Sequence, residues 1–264
     1  MATYLDAILD HHRAAAALDQ RRTDQLVEQT AALPPCRGSR SALEGADRLG
    51  VIAEVKRRSP SKGPLAEQLD PAELALRYRS GGAVCLSVLT DGPHFGGSPD
   101  DLAHARDVVP LPVLRKDFTV AANDVCDARL MGADCVLLIV AALDDAELRA
   151  FSDLATEIGL DVLVEIHDEH ELDRAVTHTS GSLIGVNQRD LVTFEVDSER
   201  AVRMASQLPE RTVRVAESGV RGPDDARALA AAGFDAVLVG EHLVTAADPS
   251  TALDALRVPR RSGQ

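Results

Sequence analysis

Residues 50–62 read GVIAEVKRRSPSK, and the two charges inside the apolar run, Glu54 and Lys56, stand two residues apart. In a strand that spacing sends both side chains to one face, while Val51, Ala53 and Val55 take the other. Neither face has the composition of ordinary surface. Similar groups end other apolar runs: Lys116 in PVLRKDF, Glu165 in DVLVEI, Asn187 and Arg189 in LIGVNQRD, Glu217 and Ser218 in TVRVAES. Any one of these alone reads more readily as a solvated strand end or a structural ion pair. Gathered in one place, they do something else. Carboxylates keep a desolvated lysine charged, and an apolar wall favours the protonated form of a glutamate, so a mixed cluster holds acid and base together.

The elements that position these groups follow from the pattern around them. Eight short runs rich in Val, Ile and Leu recur: GVIAEV, AVCLSVLT, PVLRKDF, DCVLLIV, DVLVEI, LIGVNQ, TVRVAES and DAVLVGE. Between them lie helical stretches such as PAELALRYRSGG, PDDLAHARDVV, DDAELRAFSDLATEIG, DEHELDRAVTH and GPDDARALAAAG, several ending in Gly. Continuous apolar strands indicate a parallel sheet covered on both faces, and eight strand–helix units over about 210 residues fit a (β/α)8 TIM barrel. A doubly wound open sheet is the alternative. It lacks a G-x-G-x-x-G after the first strand, and the polar residues end nearly every run rather than clustering at one switch point.

A second feature is a set of turns suited to phosphate. Ser218 and Gly219 follow the seventh run, and Gly240 and Glu241 follow the eighth, where this fold commonly gathers backbone N–H groups around an anion. Ser59, after the first run, adds a hydroxyl. Lys56, Arg57, Arg58 and Lys62 form a basic cluster in an acidic protein, read either as a solvated loop or as an anchor for a small anionic substrate.

The chain has 264 residues and a net charge of −14, with five Phe, two Tyr and no Trp. That field and the scarcity of rings disfavour nucleic acid and anionic membrane surfaces as partners. Cys36, Cys85, Cys126 and Cys135 show no C-x-x-C spacing, and two lie in strand-like runs, which implies reduced thiols and a cytoplasmic setting. The start, MATYLDAILDHHRAAAALDQ, resembles neither a secretory leader nor a membrane anchor. Residues 4 to about 30 read as one amphipathic helix ended by PPCRGSRS, giving a helical extension over 1–48, a barrel over 49–258 and a polar tail over 259–264. A monomer is expected, since no exposed apolar helix face asks for a partner.

The ordered motifs IAEVKRRSPSKG, SVLTD with FGGSPDDL, PVLRKDF, GADCVLLIVAAL, LVEIHDEHEL, IGVNQRDLVTFEVD, VAESGV and DAVLVGE resemble the indole-3-glycerol phosphate synthase family of tryptophan biosynthesis, from about residue 4 to 257. The resemblance implies a (β/α)8 barrel with an N-terminal helical segment over the active-site face. It implies conversion of 1-(2-carboxyphenylamino)-1-deoxyribulose 5-phosphate to indole-3-glycerol phosphate with loss of carbon dioxide and water, and no metal or cofactor. Carried over by motif, Lys116 is the general acid of ring closure and Glu165 acts in dehydration. Lys56 pairs with the substrate carboxylate and is positioned by Glu54. Asn187, Arg189 and Glu217 orient the anthranilate part and the hydroxyls. Ser59, Ser218, Gly219, Gly240 and Glu241 surround the phosphate. Phe95 and Phe118 are the candidates for the wall against the anthranilate ring.

The chain departs from the family pattern after PVLRKDF, where TVAANDV replaces a segment ending in Pro-Tyr-Gln, and at His242, which is expected to point outward, the alternative being contact with the phosphate. Two other functions fit the residues: a secondary-metabolism paralogue taking a substituted anthranilate, and a phosphosugar Amadori isomerase on the same fold.

Overall fold

The structure, a computed structural model, describes residues 4–60, 62–190 and 192–260. Eight parallel strands close into one barrel: β1 (Gly50–Val55), β2 (Cys85–Leu89), β3 (Val113–Lys116), β4 (Cys135–Ile139), β5 (Asp161–Ile166), β6 (Leu183–Asn187), β7 (Val213–Glu217) and β8 (Ala236–Val239). β1 pairs with both β2 and β8, so the sheet has no free edge and the open doubly wound alternative is excluded. A short hairpin, Arg58–Ser59 with Gly63–Pro64, follows β1.

Helices begin where the sequence supplies caps. Asp70 accepts N–H bonds at the start of α4 (Pro71–Ser80), Ser98 at α6 (Pro99–Val108), Asp144 at α8 (Asp145–Glu157) and Asp168 at α9 (Glu169–His178). Pro in the first turn of α4 and α6, and of α11 (Pro223–Ala232) and α13 (Pro249–Leu256), costs no intrahelical bond. The other α-helices described within the barrel are α5 (Gly92–Phe95), α7 (Ala122–Leu130), α10 (Arg200–Met204) and α12 (Glu241–Val244).

This arrangement explains the two-sided character of β1. All six of its residues are buried. α4 and α13 pack against the strand from outside, while Glu54 and Lys56 project into the cavity at its C-terminal end. The Tyr78 hydroxyl on α4 donates to the Glu54 carbonyl at 3.0 Å, fixing the strand end from behind.

The segment before the barrel is three helices, α1 (Tyr4–Leu18), α2 (Thr23–Thr30) and α3 (Ser39–Glu44), rather than one helix to about residue 30. The break has a cause. Asp19 and Arg21 fold onto each other, Arg21 also pairs with Asp127 at 2.8 Å, and Asn123 donates to Asp19 at 2.8 Å and to the Arg21 carbonyl at 3.1 Å. Thr23 closes the set by donating to Asn123 at 2.7 Å. The segment thus spans the barrel. α1 crosses the mouth, with Arg13 on Glu147 and Tyr4 edge-on to Phe194. α2 lies along α7. α3 sits at the opposite end, with Leu43 fully buried and the Arg40 N–H on Asp161 at the start of β5.

TVAANDV needs no Pro-Tyr-Gln to turn: Asp124 accepts from the N–H groups of Val120 and Ala121, both at 2.9 Å, and α7 starts immediately. At the chain's other end, Pro259 bridges to Arg48, and Arg260 donates to the Ala46 carbonyl at 2.9 Å and pairs with Asp235. Residues 1–3 of the extension and 261–264 of the polar tail lie outside the described residues. All four cysteines are free thiols, and among the described residues no helix is long and apolar enough to cross a membrane.

Candidate active site

Where the strands end, a cavity of about 500 Å³ opens beneath α1. Its lining includes every residue singled out by motif: Glu54, Lys56, Ser59, Phe95, Lys116, Phe118, Glu165, Asn187, Arg189, Glu217, Ser218, Gly219, Gly240 and Glu241. Strand register sets them side by side. Leu89 is level with Lys116, Ile139 with Glu165, Asn187 with Glu217 and Leu238 with Glu217. Leu89, Leu137, Ile139 and Leu238 supply apolar wall among the charges.

Lys116 Nζ lies 2.9 Å from Glu165 Oε2 and 3.7 Å from Glu217 Oε2. Asn187 donates to Glu165 Oε1 at 2.9 Å. Glu54 and Lys56 pair at 2.5 Å on the same cavity. Burial alone would push the Lys116 ammonium down, but the carboxylates of Glu165, Glu217 and Glu54 outweigh it and hold its pKa above the ordinary value. One ammonium does not neutralise two buried carboxylates. Burial opposes the charge on Glu165, yet the closer Lys116, His167 and the Asn187 bond draw its pKa below the usual range. Glu217, farther from the ammonium and facing the Glu165 charge, is pushed up to about 8, by burial first and Glu165 second. The site therefore holds a charged lysine, a charged glutamate and a glutamic acid around one space.

Two glycines make this packing possible. A Cβ on Gly240 would meet Glu54 Oε1 at 2.2 Å and Lys56 Nζ at 3.1 Å, and a Cβ on Gly185 would meet Glu217 Oε1 at 2.0 Å. Gly240 thus makes room for the Glu54–Lys56 pair as well as ending β8. At the phosphate-type turns, Ser218 and Gly219 both adopt left-handed conformations, with φ of 65° and 74°. For Ser218 that is unusual, and its carbonyl is held by the Gln188 side chain at 2.8 Å.

The basic cluster after β1 divides. Lys56 and Lys62 line the cavity, whereas Arg57 turns away to Asp101 at 2.8 Å and to the Leu69 carbonyl at 2.7 Å, and Arg58 is exposed beside Gly96. Lys62 pairs with Glu241, bridging the loops after β1 and β8. His242, expected to point outward, lines the mouth, because α12 begins at Glu241 and its first turn follows the rim.

Other residues escaped the sequence reading. His167 stands behind Glu165, with Nε2 3.6 Å from Glu165 Oε1 and Nδ1 3.0 Å from Glu171. The E-I-H spacing in DVLVEIH was its one signal. Phe194, at a φ of 60°, accepts from Arg189 through its carbonyl at 3.0 Å and presents its ring to the cavity and to Tyr4. Nothing local marks that loop conformation. Phe95 and Phe118 lie with ring centroids 6.3 Å apart.

A closed (β/α)8 barrel whose C-terminal mouth buries lysines among glutamates, beside a left-handed turn at the end of β7 and a glycine turn at the end of β8, defines a barrel enzyme of acid–base type. Residues 5–256 match the family described as indole-3-glycerol phosphate synthase. The chain belongs to that family, whose members are carboxy-lyases of tryptophan biosynthesis. It is 51% identical over 254 residues to indole-3-glycerol phosphate synthase 1 of Streptomyces coelicolor, covering 96% of this chain and 94% of that one. It is 50% identical to the indole-3-glycerol phosphate synthase of Mycolicibacterium smegmatis, over 96% and 93% of the two chains. Thiamine phosphate pyrophosphorylase from Pyrococcus furiosus, at 16% identity, superposes with a TM-score of 0.60 over 80% of this chain and 95% of that one, which shows a common fold.

Proposed function

We propose that this chain closes the indole ring of 1-(2-carboxyphenylamino)-1-deoxyribulose 5-phosphate, releasing carbon dioxide and water to give indole-3-glycerol phosphate. The observation that carries the assignment of roles is the contact of Lys116 with Glu165 at 2.9 Å, facing the Glu54–Lys56 pair across one cavity.

The substrate has two anionic ends and a ketone between them. Its phosphate sits at the turns of Ser218–Gly219 and Gly240–Glu241 with Ser59, and Lys62 leaves Glu241 to join it. Its carboxylate meets Lys56, and its ring lies against Phe95 and Phe118. Lys116 then faces the ketone oxygen. As the ring carbon bearing the carboxylate attacks the ketone carbon, Lys116 transfers a proton to that oxygen, so no free alkoxide forms. Breaking the bond to the carboxylate returns its electron pair to the ring as carbon dioxide leaves. Loss of the new hydroxyl then needs a proton for the departing oxygen and a base for the hydrogen on the adjacent carbon. The Lys56 ammonium supplies the first and the ionised Glu165 accepts the second. Asn187 holds Glu165 in place by a hydrogen bond, with His167 behind it at 3.6 Å, and protonated Glu217 donates to a substrate hydroxyl without adding a third negative charge.

An Amadori isomerase would leave the ketosugar open, with no use for a carboxylate-binding lysine. The protein is proposed to act in the cytoplasm as a monomer on a small molecule, with no metal or cofactor in the reaction. The test is indole fluorescence from the purified chain with this substrate. A fluorescent indole product with one equivalent of carbon dioxide is expected, while unchanged ketosugar or its aldosylamine isomer, with no carbon dioxide, would overturn the reading.

A further inference from the structure

Among the described residues, one group of metal-ligating side chains lies outside the reaction cavity. His12 of α1 places Nε2 3.0 Å from Asp91 Oδ2, and His94 of α5 places Nδ1 3.0 Å from the same oxygen. The three donor atoms all lie within 4.8 Å of one another. We propose that His12, Asp91 and His94 bind a divalent cation of the zinc class, which clips α1 to the rim of the barrel.

The donor geometry is close to what such an ion requires. Zinc–ligand bonds of about 2.0–2.1 Å in a tetrahedron place neighbouring donors ~3.3 Å apart. Both imidazole-to-carboxylate separations are within a few tenths of an ångström of that edge, and the two imidazole nitrogens lie within 4.8 Å of each other. The carboxylate is fixed in advance. The Asp91 side chain is fully buried, and its Oδ1 is engaged by the N–H groups of His94 at 2.6 Å and Phe95 at 3.2 Å as the cap of α5, which leaves Oδ2 for the rings. The imidazoles keep 18% and 19% of their side-chain surface, so an ion can enter from solvent while the carboxylate stays anchored. Asp117 Oδ1, 3.9 Å from His12 Nε2, already accepts from the Phe118 N–H at 2.8 Å and stands outside the three-donor group, so the fourth position would fall to water. Two imidazoles with one carboxylate select zinc, cobalt or nickel over calcium or magnesium, which prefer all-oxygen sites.

The location gives the ion a purpose. His12 and Asp91 are 79 residues apart, and α1 otherwise meets this part of the rim through ring contacts, His11 and Tyr4 edge-on to His94. The His12 ring also lies 5.4 Å from Phe118, and His94 precedes Phe95, so the ion's ligands adjoin two of the aromatic residues of the cavity wall. Binding would hold α1 down over the mouth. No step of the proposed reaction passes through it.

The test is calorimetric titration of the chelator-treated full chain with zinc chloride, with cobalt absorption as a coordination signature. The proposal predicts one saturable equivalent, tetrahedral cobalt bands, a zinc-dependent rise in melting temperature, and more than ~10-fold weaker binding in either His12→Gln or His94→Gln. His11→Gln should bind as the parent does. Because a variant can lose its fold, the parent is also read directly: imidazole nitrogen chemical shifts of His12 Nε2 and His94 Nδ1 must move on adding zinc. No saturable equivalent in the parent, unmoved shifts at these nitrogens, or equal binding by a folded His12→Gln/His94→Gln double variant would overturn the site and leave a hydrogen-bonded contact only.

Discussion

Gly240 shows how much of a reactive site is decided by an absent side chain. Its φ of −113° is open to any residue, so the requirement is contact and not backbone strain. An alanine methyl would drive Glu54 off the position that holds Lys56. Gly240→Ala is therefore expected to lower kcat/KM at least ~10-fold and to cost about 1–3 kcal/mol in urea unfolding. A variant with parental kinetics would mean that the Glu54–Lys56 pair has no part in turnover. The charged residues of this site were legible in the sequence because each sits at the end of an apolar run, where a Lys or Glu has no business unless it is used. Gly240 was legible only as a turn, since the neighbour it accommodates is 186 residues away in the chain. His12, Asp91 and His94 left no trace, because His12 meets the other two only through tertiary packing.

Among the elements, the barrel strands were readable from composition alone, for burial on both faces leaves no polar alternation to confuse with a helix. The helices α4, α6, α8, α9 and α11 were readable from apolar spacing and their caps. α7 was not: its ANDVCDARL sequence has little amphipathic contrast, and what starts it is Asp124 folding back on Val120 and Ala121. The extension was misread as one helix because the break at 19–22 depends on Asn123 and Asp127, which no local pattern announces. α3 carries the sharpest consequence at this scale. Leu43 is fully buried against the end of the barrel opposite the cavity, and Gly50 of β1 approaches its side chain. Leu43→Ala is expected to destabilise the chain by about 2–5 kcal/mol while leaving KM near the parental value. Unfolding followed by fluorescence of a dye on α3 and by circular dichroism should coincide. Separate transitions would show that α3 is not part of the cooperative unit.

At the scale of the whole molecule, the buried carboxylates link reaction chemistry to stability. Glu217 holds its proton to about pH 8 in the folded chain, against an ordinary value of 4.5. The folded state is then the better proton binder between those values, so the stabilisation is complete below about pH 4.5 and is lost as pH rises through about 8. With one pKa unit worth about 1.4 kcal/mol and about three such units spanned between pH 5 and 9, a loss on the order of 4 kcal/mol is expected over that range, relative to Glu217→Gln. Urea unfolding of both proteins across that range measures it. Parallel curves would mean that Glu217 is ionised like a surface carboxylate and that Lys116 is shared by two charges. Closing the sheet brings three glutamates and two lysines to one end of the interior, where Lys116 of β3 meets Glu165 of β5 and Lys56 meets Glu54 at the end of β1.

The most direct measurement compares Lys116→Ala with the parent for turnover of the carboxyphenylamino ketosugar and for affinity toward the same molecule with its ketone reduced to an alcohol. If Lys116 delivers the proton that closes the ring, kcat falls by about 10²- to 10⁴-fold while the dissociation constant of the reduced compound changes only severalfold. Undiminished kcat with a raised KM would place Lys116 in binding alone and contradict the account.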